Sequence, residues 1–412
     1  MIAIEALASE PNALWPDYGR FRVHERVLLT GHSHQAWPDV AWQGVARALE
    51  DAARYVDDKW ERAFEQAERV RRGYAERLGD REGRYALGAS VHELLVRFLS
   101  ALPLERRPQI VTTDGEFHSV RRQLDALGER GCRCVRVPAQ PAADVGLRLA
   151  ERVDERTAAV VCSAVFYETA AIAGGLDGLA RRCAERGAQL LVDVYHALNV
   201  VPFSIAEHGL ERAFVTGGGY KYMQLGEGCA FLRIPPDCRL RPTVTGWFAE
   251  FDRLEQPAPG RLAYPGGAAR FAGATYDPVS HYRAAAVLAF FERRGLTVPL
   301  LRRVSLHQIA RLEQRFDALG LPAGWIDRDR SLPRERRGGF LPLRTPYATA
   351  LVPRLRARGV FVDARGDRLR LGPAPYVSDR QLDRAIALLG EEIERLVRGA
   401  PPRGRERTCD DT

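Results

Sequence analysis

The chain has 412 residues, is 46% hydrophobic and carries a formal charge of +8, enough to bury a large core in one major domain beside a smaller one. No apolar run approaches the ~20 residues of a membrane-spanning helix, and the opening MIAIEALASEPNALWP lacks the flanks of a signal peptide, so a cytoplasmic protein with no membrane partner is expected. The positive charge does not mark a nucleic-acid partner, because the arginines are interleaved with Asp and Glu over nearly the whole length.

Residues 1–50 are read as an N-terminal segment, and residues 40–78 as helices rich in Ala, Glu and Arg that pack on the large domain. From about residue 84 to 235, short apolar runs alternate with helical stretches: RYALGAS then VHELLVRFLSAL, QIVTTDG then EFHSVRRQLDALGER, CRCVRVP, AAVVCSAVFYE then GLARRCAERGA, QLLVDVYH, and RAFVTGGG. That alternation is the signature of an α/β domain with a mainly parallel sheet. Residues 252–280 are loop-like (QPAPG, YPGG, FAGATYDP), and a long helical stretch is expected from about 281 to 317, with the domain boundary near residue 295. The large domain is assigned to 51–295. Residues 296–400 form a small C-terminal α+β domain, with strand-like GGFLPLRT, VFVDAR and RLRLGP and a final helix DRQLDRAIALLGEEIERLVRG. The tail at 401–412, PPRGRERTCDDT, is read as disordered.

The seven cysteines form no paired framework, and Cys132-x-Cys134 has the alternation of a strand rather than zinc-ligand spacing, so reduced core thiols and no metal are expected. Only two of the 61 basic residues are lysine, Lys59 and Lys221. A surviving lysine suggests chemistry a guanidinium cannot perform: an ammonium can lose its proton and attack a carbonyl to form an imine.

In parallel α/β sheets, ligands sit at the carboxyl ends of strands. The run QLLVD ends on Asp193, and AFVTGGGYKY delivers Lys221 to the same edge. An Asp there suits the ring nitrogen of pyridoxal 5′-phosphate (PLP), keeping it protonated so that the ring can accept charge from a substrate carbanion. LGAS followed by VHELLVRFL offers a strand, a turn and a helix start, nominating Ala89 and Ser90 for the phosphate, with an ordinary Ser N-cap as the competing reading. Gly217, Gly218 and Gly219 let the backbone turn sharply, but no P-loop spacing is present.

DVYHALNVVPFSI followed by GGGYKYMQLGEGCAFL resembles the Asp-x-x-His and Tyr-Lys-Tyr segments of kynureninase, in the class V aminotransferase-like group of fold type I PLP enzymes. The resemblance runs from about residue 27 to 395. It implies the PLP-dependent transferase-like (fold type I) architecture: a large domain with a mainly parallel seven-stranded sheet, plus the small α+β domain. It implies that Asp193 holds the ring nitrogen, His196 approaches the ring hydroxyl, Tyr220 touches phosphate and Lys221 carries PLP as a Schiff base. LLTGHSHQAWP and DKWERAF are similar to family segments that nominate Ser33 and Trp60 as substrate neighbours. By the same likeness Phe117 stacks on the cofactor, Trp247 and Thr275 reach across a homodimer interface into a shared site, and Arg370 in RLRLGPAP clamps the substrate α-carboxylate through a bidentate fork.

The chain also departs from the family. His118, Ser119 and Val120 stand in place of the usual Pro, Thr or Ser, and Asp, so one acidic partner is missing; Phe166-Tyr167 replaces the family's Asn-Tyr in the strand before Asp193, and Tyr276-Asp277 stand where residues tuning recognition of an aromatic amine are expected. The resemblance implies an amino-acid substrate and hydrolysis of kynurenine or 3-hydroxykynurenine to an anthranilate and alanine, with Lys221 as acid and base. Transamination, a β-lyase step or epimerisation on the same scaffold are alternatives, as is a PLP-binding protein without turnover. Cysteine desulfuration is less favoured, since no cysteine falls in a recognisable loop before Arg370.

Overall fold

A computed structural model describes residues 2–80, 82–253, 260 and 262–399; the tail at 401–412 and part of the loop-like region lie outside the described residues. The centre is a seven-stranded sheet. In chain order its strands are β1 (Arg84–Gly88), β2 (Gln109–Thr113), β3 (Arg133–Val137), β4 (Thr157–Ser163), β5 (Gln189–Asp193), β6 (Phe214–Gly218) and β7 (Ala230–Ile234). Across the sheet they lie in the order β1-β7-β6-β5-β4-β2-β3. Strands β3, β2, β4, β5 and β6 pair in parallel, and β7 runs antiparallel to both β1 and β6. The mainly parallel seven-stranded α/β sheet is therefore observed.

The interior strands are continuous apolar runs because helices cover both faces. Successive residues point to opposite sides: Ile110, Val161, Leu191 and Phe214 pack with Leu94, Leu95 and Phe98 of helix Val91–Ser100, whereas Val111, Val160, Val192 and Val215 pack with Leu179 and Cys183 of helix Leu176–Arg186. Strand β7 also carries the buried Arg233, whose Nε donates to Asp80 at 2.9 Å and whose Nη1 donates to the carbonyls of Glu211 and Ala213. This ties the end of the N-terminal helices to the sheet edge.

Helices Val40–Tyr55 and Lys59–Arg77 both pack on helix Val279–Arg294. The long helical stretch expected from about 281 to 317 consists of two helices, Val279–Arg294 and Val298–Ala318, that meet at the boundary expected near residue 295. Gly295 at φ 65° ends the first, and the Thr297 hydroxyl, accepting from the Leu300 N–H, starts the second with Pro299 in its first turn.

The C-terminal part holds a four-stranded antiparallel sheet of β8 (Asp327–Arg328), β9 (Leu341–Arg344), β10 (Asp363–Arg365) and β11 (Arg368–Leu371), in the order β10-β11-β9-β8. Helices Val298–Ala318, Ala348–Ala357 and Asp379–Gly399 complete it. Val27–Leu28 pairs in parallel with Val360–Phe361, and Thr30 bridges to Gly372. The N-terminal segment is thus stitched to the C-terminal part, which brings residues 31–35 beside Arg370. Among the described residues no helix is long and apolar enough to cross a membrane, and no group of side chains is arranged to hold a metal ion.

Candidate active site

The carboxyl ends of β4, β5 and β6 converge on a cavity of about 230 Å³. Its walls include Ser90, Phe117, Ser163, Asp193, His196 and Lys221. Lys221 lies in a tight turn after β6, closed by bonds from the Gln224 N–H to the Lys221 carbonyl (3.0 Å) and from the Leu225 N–H to the Gly219 carbonyl (2.9 Å). The preceding glycines are sterically required. A Cβ on Gly218 would lie 2.4 Å from the Tyr195 hydroxyl, and one on Gly219 would lie 2.7 Å from the Leu225 Cβ.

Lys221 is 6% exposed. Its Nζ lies 2.6 Å from His196 Nε2 and 4.5 Å from the centre of the Tyr195 ring. Burial pulls the amine down to about 7; Asp193 opposes that shift and the Arg370 cation adds to it. Burial also holds the His196 imidazole well below its ordinary range, with the Lys221 charge pushing the same way. Among the described residues the His196 Nδ1 is buried without a hydrogen-bond partner. Asp193 Oδ1 accepts from the Tyr195 N–H at 2.8 Å, and burial raises its pKa. A carboxyl group and a deprotonatable amine therefore share one small cavity.

The helix start at Val91 forms another wall. Ser90 Oγ accepts from the Glu93 N–H at 3.2 Å, and the Ala89 N–H donates to Glu93 Oε2 at 2.9 Å. This is a reciprocal capping box, with the Glu93 carboxylate also paired to Arg97. The donors nominated for phosphate thus serve the helix's own cap. Phe117, immediately before helix His118–Gly128, stands edge-on to Tyr167 at 5.4 Å, with Lys221 Nζ 5.5 Å from its ring centre. Tyr220 lies at the cavity wall, with its ring stacked on His34 at 4.7 Å.

Arg370 is buried beside this cavity, and its fork is engaged within the protein. Nε and Nη2 donate to the two carboxylate oxygens of Asp363 at 2.9 and 2.5 Å, and Nη1 donates to the Tyr167 carbonyl at 2.7 Å. Asp363 also meets His32 Nε2 at 2.6 Å. These contacts hold the guanidinium plane in place and leave only its remaining N–H groups for a ligand.

Four nominated residues stand apart from the cavity within one chain. Ser33 contacts the His34 Nδ1 at 3.3 Å in an exposed turn. Trp60 packs on Phe64 and Tyr276, and Trp247 on Phe248 and Phe251. Thr275 lines, with Phe64, Phe248 and Tyr276, a larger open recess of about 1260 Å³. The two hollows share Ala89, Glu227 and Gly228, so they adjoin.

Sequence reasoning passed over Glu116, Ser163, Tyr195, Asp363 and His32. The strand-end rule that selected Asp193 applies equally to Ser163 and to Glu116, which follows the run QIVTTDG. Asp363 and His32 gave no local signal, because their partners are remote in sequence.

Residues 328–389 match the family model of the kynureninase C-terminal domain, a span that contains both Asp363 and Arg370. The chain is 24% identical over 352 residues to the uncharacterized aminotransferase YcbU of Bacillus subtilis (strain 168), covering 83% of this chain and 89% of that protein. Among solved structures it is similar to C-DES, a cystine C–S lyase, in a variant with glycine covalently linked to its PLP cofactor: TM-score 0.79, 17% identity, 92% of this chain and 99% of that one. It is also similar to the cysteine desulfurase of Thermococcus onnurineus NA1, with TM-score 0.78, 16% identity, and coverage of 94% and 98%. The chain has the α/β fold of the fold type I PLP-dependent enzymes, joined to a C-terminal segment that matches the kynureninase C-terminal domain.

Proposed function

We propose that the chain is a PLP-dependent enzyme acting on an amino acid, and that its reaction is kynureninase-type hydrolysis of kynurenine or 3-hydroxykynurenine. One observation carries the cofactor assignment: Lys221 and Asp193 face one buried cavity whose further wall is a capped helix start at Ser90. The donor set fits PLP. Lys221 would hold its aldehyde carbon, Asp193 its ring nitrogen, Phe117 its ring face, His196 its ring hydroxyl, and Ala89, Ser90 and Tyr220 its phosphate.

When bound, PLP supplies an electron sink for charge developing at the substrate Cα. The chain's own residues do the rest. Lys221, held near neutrality at about 7, can take a proton at Nζ from the substrate Cα and return it. Arg370, fixed by Asp363, offers its free N–H groups to the α-carboxylate. The aromatic recess around Trp60, Phe64 and Tyr276 suits an aromatic amine next to the cavity.

The match over 328–389 favours the hydrolase, since it spans the segment with Arg370. The likeness to a cystine C–S lyase supports a second reading, β-elimination from a sulfur amino acid. A desulfurase that uses its own cysteine is disfavoured, because no cysteine lies between Cys238 and Cys409. The proposal includes a homodimer with shared sites, supported by Trp247 and Thr275 lying on the open recess side, outside the cavity of their own chain.

Two assays test the reading. PLP added to the purified chain should give a visible absorbance band that borohydride fixes covalently at Lys221, and absence of that adduct would sink the cofactor assignment. Loaded protein incubated with kynurenine, 3-hydroxykynurenine or cystine should release an anthranilate and alanine from the first two. Pyruvate and a persulfide from cystine, with no anthranilate, would establish the lyase instead.

A further inference from the structure

Behind the cavity wall lies a second buried carboxyl group. Glu116 is 4% exposed. Its Oε1 accepts from the Thr113 hydroxyl at 2.7 Å and from the Ser163 N–H at 3.2 Å, and its Oε2 lies 2.6 Å from Ser163 Oγ. Ser163 lines the cavity and is the cross-strand partner of Asp193, so both side chains rise from the same face of the sheet. The Ser163–Glu116 contact works with the proton on either oxygen, because a hydroxyl both donates and accepts. The sequence also lacks the acid expected after Phe117, where Val120 stands, and Glu116 approaches from the residue before it.

Resting on the PLP reading above, we propose that Glu116 is a positioning residue for Asp193: the two carboxyls, one bonded to Ser163 and the other on the residue paired with it across the strands, keep one of the pair protonated in the cofactor-free chain, and that proton is released when a cationic ring nitrogen binds Asp193. Like charges in one buried site cannot both ionise cheaply, whereas a bound cation removes that cost. Burial pushes Glu116 up to about 7, the bonds from Ser163 and Thr113 restrain the rise, and Asp193 adds to it. The other groups acting on the pair are Lys221, which pulls Asp193 down, and the buried Cys162 thiol, raised first by burial and further by both carboxyls.

The first test needs no cofactor. Infrared titration of the full chain should show a protonated carboxyl that disappears in Glu116→Gln. In Asp193→Asn its midpoint should fall by about half a unit or more, as expected when a nearby like charge is removed. Should that variant fail to fold, Ser163→Ala should move the midpoint upward by losing a hydrogen bond to the ionised form. A midpoint unmoved in Asp193→Asn overturns the coupling, and one unmoved in Ser163→Ala overturns the role of the Ser163 contact. The second test is PLP affinity against pH. Below the Glu116 midpoint the unsubstituted chain must shed a proton on binding, so its affinity should fall by up to about tenfold per pH unit relative to Glu116→Gln. Parallel profiles overturn the proton release. An unsubstituted chain that takes no PLP would sink the cofactor reading and the release together, while the infrared coupling is decided separately.

Discussion

A lysine amine in water is almost wholly protonated at neutral pH, and burial of Lys221 beside the Arg370 cation brings it down to about 7. The rate of covalent PLP attachment should therefore rise about tenfold between pH 6 and 8 and level off above, following the free-amine fraction. A rate still climbing tenfold per unit at pH 9, as for an ordinary lysine, would contradict this; stopped-flow absorbance reads it directly. A second consequence sits at Asp363, which satisfies both Arg370 and His32. Asp363→Ala would strand a buried guanidinium, at a cost of about 3 kcal/mol in urea unfolding. Arg370 and His32 hold the Asp363 carboxyl well below the usual range against the opposing effect of burial. Its stabilisation is present above the ordinary carboxylate range near pH 4 and lost only in stronger acid, so the difference between the two proteins should hold from pH 7 to about 4 and shrink below that. Equal urea midpoints at pH 7 would mean that the guanidinium finds another partner.

At the scale of elements, the reciprocal cap on helix Val91–Ser100 sets up a competition. The Ala89 N–H that could meet a phosphate is held by Glu93, so an incoming anion must displace a carboxylate from the positive end of the helix. Glu93→Gln keeps a neutral acceptor for the cap and removes the competing charge. It should tighten PLP binding roughly two- to fivefold, the range for one charge at a helix terminus, with little change in melting temperature. Weaker binding on equilibrium titration would show instead that Glu93 orients the donors. The elements themselves were largely legible, because runs such as AAVVCS and QLLVD have continuous apolar centres and end on a polar residue. Two features were not. Strand β7, AFLRI, follows the Lys221 turn so closely that it reads as a continuation of the motif, and its antiparallel direction depends on pairing with both β1 and β6. The break at Gly295 lies inside an otherwise helical pattern; Gly295, Thr297 and Pro299 carry its stop and start signals, and the structure shows them acting as a left-handed end and a new cap. In the site, Lys221 and Asp193 were readable as strand-end residues. The Asp363–His32 contact joins positions 331 apart, and no local pattern encodes it.

On the whole molecule, the open recess beside the cavity is lined by large apolar side chains facing solvent, Phe64 at 37%, Val244 at 46% and Phe251 at 45% exposure, with Trp247 at 44% packed against Phe248 and Phe251. Isolated exposed apolar residues are ordinary, but here Phe64, Trp247, Phe248 and Phe251 contact one another as an aromatic group. Such a surface next to the cavity fits the proposed homodimer, in which a second copy would cover the recess and complete the site with Trp247 and Thr275. The unsubstituted chain should sediment as a dimer at micromolar concentration. Trp247→Glu combined with Phe251→Glu, placing two anions in that apolar contact, should yield a folded monomer by sedimentation and circular dichroism. Because neither substitution touches Lys221 or Asp193, the monomer should still take PLP but retain it less tightly, having lost the wall contributed by its partner. A substituted chain that remains dimeric would move the interface elsewhere. A monomer that binds PLP and turns over substrate at the full rate would instead show each site to be complete within one chain, leaving Trp247 and Thr275 without the role the resemblance implies.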